Sequence, residues 1–561
     1  MTTHIRNWNT HWRWTSLVGN GLEARVAARK RLLDDRRYWT ANTAKLQLDA
    51  LRGLLSAAAQ TEIGRTHKFA RLARLDDAEM LRAYRAEIAV ADWYAYRTQI
   101  NRMRDDAEPD VLWPGVVMDF AQTSGTTAGD KFIPVSKAMM RSNYLASLDI
   151  FAHAWRFGIS LPRMLAGKSL FLGGSSDLAV NSRGIRTGDL SGIVTPLIKW
   201  PLSEIYLPGK DVALMSDWPA KIEAMAQRCL HEDVRMISGM PSWMLVLSER
   251  MIELGKQRGL KSRASDRAGE PMQTLRDVWP NLTLLVHGGV RFTPFEPRVR
   301  QMYSGSPTGA DVPNRLELYP ASEAFVAIQD TRGNPGLRLL ADGGNFFEFV
   351  PLEQVNDPNA PGFAAHEVEK GQKYVVTLTT CAGLWRYILG DVVEFDTIPG
   401  GLDGQGGDGP ARLRIVGRHR HFINAFGENL IVEHIETAVS AAAAATGLLI
   451  SEFTAAPVYP INGSRPGLEL AVEIDGAGRI APQQLNTFRD VFDSDLKRQN
   501  VDYTTKRTAG VGMTEPTISP LPPGTFHRWL LSKGKLGGQH KCPRCANHRD
   551  IIDAVKAAAQ D

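Results

Sequence analysis

Thr123-Ser124-Gly125-Thr126-Thr127-Ala128-Gly129-Asp130-Lys131 is the stretch on which the reading of this chain turns. The apolar run Val116-Val117-Met118-Asp119-Phe120 before it reads as a strand, and Phe132-Ile133-Pro134 follows it. Two glycines let the backbone turn sharply, four hydroxyl side chains add donors without bulk, and Lys131 supplies a positive charge at the far end. Backbone N–H groups in such a loop can converge on an anion, and a triphosphate suits it. The spacing is not that of a Walker loop: three residues separate the glycines, and Phe132 stands where that pattern needs Ser or Thr. Any Mg2+ must therefore be held by another part of the chain. Alone, the stretch is an ordinary polar turn; its weight comes from what lies downstream.

Length and composition bound the problem. A chain of 561 residues exceeds a single ordinary core and predicts several domains. With 43% hydrophobic and 23% charged residues it has a globular composition. A net charge of +5 spread over 66 basic and 61 acidic side chains gives no reason to expect a nucleic-acid partner. Four scattered cysteines, Cys229, Cys381, Cys542 and Cys545, make no disulfide framework and suit a reducing compartment. Neither a signal-type apolar segment nor a run of ~18 apolar residues is present, so a cytoplasmic protein with no membrane partner is expected.

Along the chain, residues 22–104 read as helical, with Leu46, Leu48, Leu51, Leu54 and Leu55 at helical spacing. The basic cluster Arg29, Lys30, Arg31, Arg36 and Arg37 reads as a solvated helix face. Met140, Tyr144, Leu148, Phe151 and Trp155 form one helical stripe, read as a buried face. Short apolar runs (169–172, 234–237, 282–286, 316–318, 374–378) then alternate with helical segments at 217–230 and 244–254, which predicts α/β layers. The Gly-rich tract Pro399–Pro410 reads as a flexible loop, and a strand pattern resumes at Leu413. The boundary is placed at Gly417-Arg418, giving a large domain at 1–416 and a small α+β domain at 417–561.

Three further fragments carry chemistry. In Leu318-Tyr319-Pro320-Ala321-Ser322-Glu323 a strand runs into a small-residue turn that ends in a carboxylate. Beside a triphosphate, Glu323 would be a hard oxygen ligand for Mg2+ and Ser322 a phosphate donor. In the run from Thr379 to Val393, the turn Gly390-Asp391 presents a short acid able to accept ribose hydroxyls. His287-Gly288-Gly289 ends a buried strand in two glycines, allowing backbone to approach a flat ring such as adenine. Each alone is also a common turn.

Their order resembles the adenylate-forming superfamily of acyl-CoA synthetases, peptide-synthetase adenylation domains and luciferases. It is most similar to the auxin-responsive Gretchen-Hagen family of acyl-acid amido synthetases, including its bacterial members. The stretches Thr123–Lys131, Tyr319–Glu323 and Ala382–Asp391 carry the likeness. Thr61-Glu62-Ile63-Gly64-Arg65, Trp279-Pro280-Asn281 and the tail Gln539-His540-Lys541-Cys542-Pro543-Arg544-Cys545 support it. The resemblance implies an α/β fold with a large multi-layer N-terminal domain and a smaller mobile α+β C-terminal domain.

It also implies roles. Thr123, Ser124, Gly125, Thr126, Thr127 and Lys131 would hold the phosphates of ATP. Gly288, Gly289 and Tyr319 would face the nucleotide, Ser322 and Glu323 would serve phosphate and Mg2+, and Asp391 the ribose. Arg418 at the hinge would reach the nucleotide, and Lys541 would be brought to the reacting phosphate. The implied reaction joins a carboxylic acid to an amine, an amino acid by analogy, through an acyl-adenylate, in a monomer or weak oligomer. A thiol acceptor, as in acyl-CoA synthetases, and an inactive nucleotide or acyl binder are the alternatives. Two positions depart from the family pattern: Ile388, where arginine is common, and Glu428, near a lysine of plant members. His540, Cys542, Cys545 and His548 have the ligand types of a zinc site, but nine residues are few for a four-ligand knuckle.

Overall fold

The computed structural model describes residues 13–123, 131–173, 178–215, 217–289, 292, 296–355, 357, 359–418, 422–423, 425–426, 428, 430–460, 464–475, 480–508, 512–532 and 542–559. Two long helices open the chain, α1 (Ser16–Asp34) and α2 (Arg36–Ala57). Asp35 separates them because its carboxylate caps α2, accepting the Tyr38 N–H at 2.9 Å. Leu48, Leu51, Leu54 and Leu55 of α2 are buried in the main core, as their spacing predicts.

The chain then forms a hairpin of β1 (Asp119–Thr123) and β2 (Lys131–Val135), with Thr123 opposite Lys131. This corrects the sequence reading. Strand pairing starts at Asp119, so Thr123 and Lys131 are ladder partners that close a loop of residues 124–130 instead of lying in it. On the far side, β1 runs parallel to Arg186–Gly188 in a small four-stranded sheet.

The described residues also build an eleven-stranded sheet. Its parallel end runs from the edge strand Tyr206–Leu207 through β3 (Lys168–Phe171), β4 (Val234–Ser238) and β5 (Leu284–Gly288) to β6 (Arg315–Pro320). Strands β3 to β6 are the short apolar runs of the sequence, and the crossover helices Trp218–Cys229 and Pro241–Gln257 fall where the sequence places them. The sheet continues antiparallel through β7 (Phe325–Gln329), β8 (Leu337–Leu339), β9 (Phe346–Pro351), β10 (Tyr374–Thr379), β11 (Tyr387–Thr397) and β12 (Arg412–Arg418). Beyond it, β13 (Leu449–Val458), β14 (Gly467–Asp475) and β15 (Thr517–Leu521) form a separate sheet, and the helices Val432–Thr446 and Pro482–Gln499 pack together beside it. Among the described residues no helix is long and apolar enough to cross a membrane.

Three local expectations are overturned. In the helix Lys137–Arg156 the buried face is Met139, Ser142, Ala146, Asp149, Ala152 and His153, while Tyr144 is 46% exposed and the rest of the Met140–Trp155 stripe is only half-buried. Periodicity marks both faces of this helix, and the decisive term is an ion pair: Arg29 of α1 grips Asp149 through Nε (2.7 Å) and Nη2 (2.6 Å). Arg29 therefore leaves the solvated basic face assigned to it, and it also pairs with Asp342. The Gly-rich tract is a hydrogen-bonded turn docked on α2, with the Gly400 N–H on the Thr40 carbonyl (2.8 Å) and Arg36 Nη2 on the Asp408 carbonyl (2.7 Å). Composition reports its backbone freedom but not the helix it lies against.

Candidate active site

The carboxyl ends of the parallel strands are where α/β sheets bind ligands, and two of the sequence fragments end there. Gly288 closes β5 opposite Leu318 of β6. A Cβ at Gly288 would lie 2.5 Å from the Leu318 carbonyl oxygen and 3.1 Å from Pro320 Cδ, so only glycine lets the two backbones lie this close. Gly289 follows at φ +81° beside Met240. Gly288→Ala is expected to destabilise the chain by ~1–3 kcal/mol through overpacking. Thermal melting of the variant against wild type would show the loss.

Past β6 the chain turns through Ser322, half-buried, to Glu323, buried. From the other side of the sheet, β11 brings Tyr387 and Asp391 to the same place. The Tyr387 hydroxyl donates to Glu323 Oε1 at 3.2 Å, and the Tyr319 hydroxyl donates to Asp391 Oδ2 at 2.6 Å. All four side chains are buried. Two phenols thus link the turn after β6 to β11 at two points, Tyr387 to Glu323 and Tyr319 to Asp391. Asp391 is also the ladder partner of Arg418, so the Arg418 backbone lies beside it; the Arg418 side chain is outside the described residues.

The hairpin of β1 and β2 joins the same core. Phe120, Ala121, Ile133 and Val135 share a hydrophobic cluster with Tyr319, Ala324 and Tyr387. Ser136, just after β2, donates its hydroxyl to the Cys381 carbonyl in the turn before β11. Lys131 is half-buried at the foot of the loop. Ser124, Gly125, Thr126 and Thr127 lie outside the described residues, as does Lys541.

The donor set fits a magnesium ion that arrives with a nucleotide. Mg2+ takes one or two carboxylates together with phosphates and water, not an all-protein cage. Glu323 is such a carboxylate, in a neighbourhood of oxygen donors. Among the described residues no three His, Cys, Asp or Glu side chains gather as a cage.

Sequence reasoning missed Tyr387 and the network behind it. Tyr387 sat inside the quoted fragment, but spacing does not show that its hydroxyl faces Glu323. Before it, Arg386 is buried with φ +43°, a left-handed conformation unusual for a side-chain-bearing residue. Its Nε donates to Glu348 Oε2 (2.9 Å), and Nη1 donates to the carbonyls of Ile88 (2.8 Å) and Arg85 (3.2 Å). Arg85 Nε donates to Glu348 Oε1 at 3.0 Å. Such backbone strain costs ~1–3 kcal/mol. Removing one partner of this buried pair would cost ~3–5 kcal/mol, because the other charge would be left buried and unpaired. Ile388 is partly buried and packs against the cluster of Val350, Val375 and Val392.

The other singled-out groups are packing residues. His287 is buried and lies 4.5 Å from the Phe292 ring, and burial pushes its imidazole down to about 3, so it stays neutral. His153 is fully buried between Arg156 and Arg338, and desolvation and these cations hold it well below the usual range. Cys542 and Cys545 sit in two different hydrophobic clusters, and burial pushes both thiols up to about 12. His540 is outside the described residues.

Glu428 is fully buried, with Oε2 accepting the Phe426 N–H at 2.7 Å and Oε1 without a partner among the described residues. Burial pushes its carboxyl up to about 7, opposed by nearby N–H groups and Lys506. A carboxyl raised on folding binds its proton more tightly in the native state. It costs nothing below its unfolded pKa, and the cost grows to its full size as pH rises through about 7. Glu428→Gln should therefore raise the apparent melting temperature at pH ~8 and leave it near wild type at pH ~4, read by calorimetry across pH.

The GH3 family N-terminal domain matches residues 33–206, its central domain 338–400 and its C-terminal domain 433–550, together well over half of the chain. Two solved structures share the fold. The AtGH3.15 acyl acid amido synthetase in complex with 2,4-DB has a TM-score of 0.55 at 18% identity, covering 96% of both chains. A 2-hydroxyisobutyryl-CoA ligase has a TM-score of 0.50 at 15% identity, covering 94% of this chain and 96% of its own.

The α/β fold is the one these two structures share, with a large N-terminal and a smaller C-terminal part. The chain belongs to the GH3 family. Among its relatives, the jasmonoyl–L-amino acid synthetase JAR6 of Nicotiana attenuata is 26% identical over 49% of this chain and 46% of its own length. The indole-3-acetic acid-amido synthetase GH3.8 of Oryza sativa subsp. indica is 24% identical over 52% and 48%. These two matches span about half of each relative's length. The indole-3-acetic acid-amido synthetase GH3.4 of Arabidopsis thaliana is 22% identical over 91% of both chains.

Proposed function

We propose that this chain is an ATP-dependent ligase that activates a carboxylic acid as its adenylate and passes the acyl group to the amine of an amino acid. The observation that carries the reading is the junction of Glu323 and Asp391, through the hydroxyls of Tyr387 and Tyr319, at the carboxyl ends of β5 and β6. The relatives named as amido synthetases support the choice of acceptor.

In the first step a carboxylate oxygen of the acid attacks the α-phosphorus of ATP. The bond from that phosphorus to the bridging oxygen breaks, and pyrophosphate leaves. The chain contributes position and charge. Asp391 accepts the ribose hydroxyls while the Tyr319 hydroxyl holds its other face. Lys131 would meet the charge of the leaving phosphates, with Ser322 a donor to a phosphate oxygen. Glu323 holds Mg2+, which when bound neutralises phosphate charge. Lys541 meets the charge spreading over the α-phosphoryl oxygens.

In the second step the amine lone pair attacks the acyl carbonyl, the bond to AMP breaks, and the amine proton passes to solvent. The mixed anhydride needs shelter from water, which a small domain closing over a large one supplies. The division at Gly417-Arg418, and the movement of residues 417–561 about it, belong to this proposal.

A screen of carboxylic acids by pyrophosphate release, repeated with each amino acid and with coenzyme A, tests it. An amide product with one acid and one amino acid is the expected result. A thioester product, or no release with any acid, overturns the proposal.

A further inference from the structure

Arg386 is a buried residue with a left-handed backbone for which the proposed reaction has no use. Its left-handed backbone is fixed from every side. The Ala91 N–H donates to the Arg386 carbonyl at 3.1 Å, the Ile388 N–H donates to the Ala91 carbonyl at 2.8 Å, and the Arg386 N–H donates to Thr379 Oγ1 at 3.2 Å. Tyr387 is thus held by backbone clasps on both flanks. The guanidinium is bound to Glu348, which Arg85 grips from the opposite side. A Cβ at Gly362 would lie 2.5 Å from Glu348 Oε1 and 2.6 Å from Arg386 Nη2, so a glycine roofs the pair. Nη2 has no hydrogen-bond partner among the described residues, although Arg386 is buried. A chain that only needed an ion pair here would not strain its backbone and leave a buried donor unmatched; the side-chain direction at the next residue is what the arrangement secures. That next residue is Tyr387, whose hydroxyl meets Glu323.

We propose that the Arg85–Glu348–Arg386 clamp is a positioning device for Glu323, setting the rotation of its carboxylate through the Tyr387 hydroxyl. Arg386 and Glu348 act at one remove and touch no substrate. The proposal rests on the reading of Glu323 as the magnesium-side carboxylate, and it assigns work to residues that reading does not use. Outer partners that orient a ligand are worth 10–100-fold in metal affinity, which sets the scale.

Four variants test it: Tyr387→Phe, Glu348→Gln, Arg386→Lys and the double Tyr387→Phe/Glu348→Gln. In ATP–pyrophosphate exchange, each single variant should raise the Mg2+ concentration for half-maximal rate about tenfold, with KM for the acid near wild type. The double variant should be no worse than the weaker single, because both act through one contact. Additive losses, or a fall in rate with unchanged Mg2+ dependence, overturn the clamp.

A second readout needs no activity. With 3-fluorotyrosine at position 387, the fluorine resonance should shift in Glu348→Gln and in Arg386→Lys, and an unmoved resonance overturns the proposal. If Glu348→Gln does not fold, Arg386→Lys, which keeps the charge, carries both tests. A wild-type chain without exchange but with the fluorine shift would sink the ligase reading and leave the clamp standing.

Discussion

Glu323→Ala should reduce ATP–pyrophosphate exchange by about a thousandfold or more, the loss expected when a preorganised charge partner is removed from phosphoryl-transfer chemistry. The position is buried, so no surface carboxylate is at hand to replace it. The Tyr387 hydroxyl would also lose its acceptor, and the tie between β11 and the turn after β6 would go with it. Glu323→Gln separates the two effects. The amide keeps an oxygen for the phenol but loses the negative charge, so exchange should stay low while the melting temperature returns toward wild type. An alanine variant with wild-type exchange would remove the carboxylate from the reaction altogether.

The second large effect belongs to Lys541. Lys541→Ala should slow adenylate formation by about 100- to 1000-fold, since the charge it meets develops at the α-phosphoryl oxygens in the transition state. Transfer from an acyl-adenylate supplied ready-made should fall far less, because that charge is already discharged in the second step. Equal losses in both half-reactions would point to a general defect, and exchange at the wild-type rate would remove the tail from the first step. Lys541 lies outside the described residues, which makes this the direct test of the role that the family resemblance gives it.

Much of the fold was legible because its elements carry their own signals. The strands at 168–171, 234–238 and 284–288 are apolar runs bounded by turns, and the helices between them follow their stripes. The strand–Ser–Glu fragment was legible as a strand running into a turn, but Gly390-Asp391, read as a turn, lies inside β11, where Asp391 pairs with Arg418 in the ladder.

What stayed hidden depends on contacts between distant segments. Nothing local tells that Arg29 reaches Asp149, that Asp408 and Gly400 lie on α2, or that Tyr387 faces Glu323. The left-handed Arg386 defeats propensity altogether, since no residue preference predicts it; a buried carboxylate contributed by β9, Glu348, makes it stable. The hairpin was misplaced by three residues at its start because Val116 and Met118 are apolar yet largely exposed, at 45% and 41%.

The four cysteines bear on how the acyl group travels. Cys229, Cys381, Cys542 and Cys545 are all buried, and desolvation holds every one of their thiols far above neutral pH. A thiol kept protonated in an apolar surround is a poor nucleophile. No side-chain sulfur of this chain is poised to carry an acyl thioester between the two half-reactions. On the proposed reaction the acyl group would pass from adenylate to acceptor without a thioester on this chain, and alkylating reagents in the buffer should leave turnover intact.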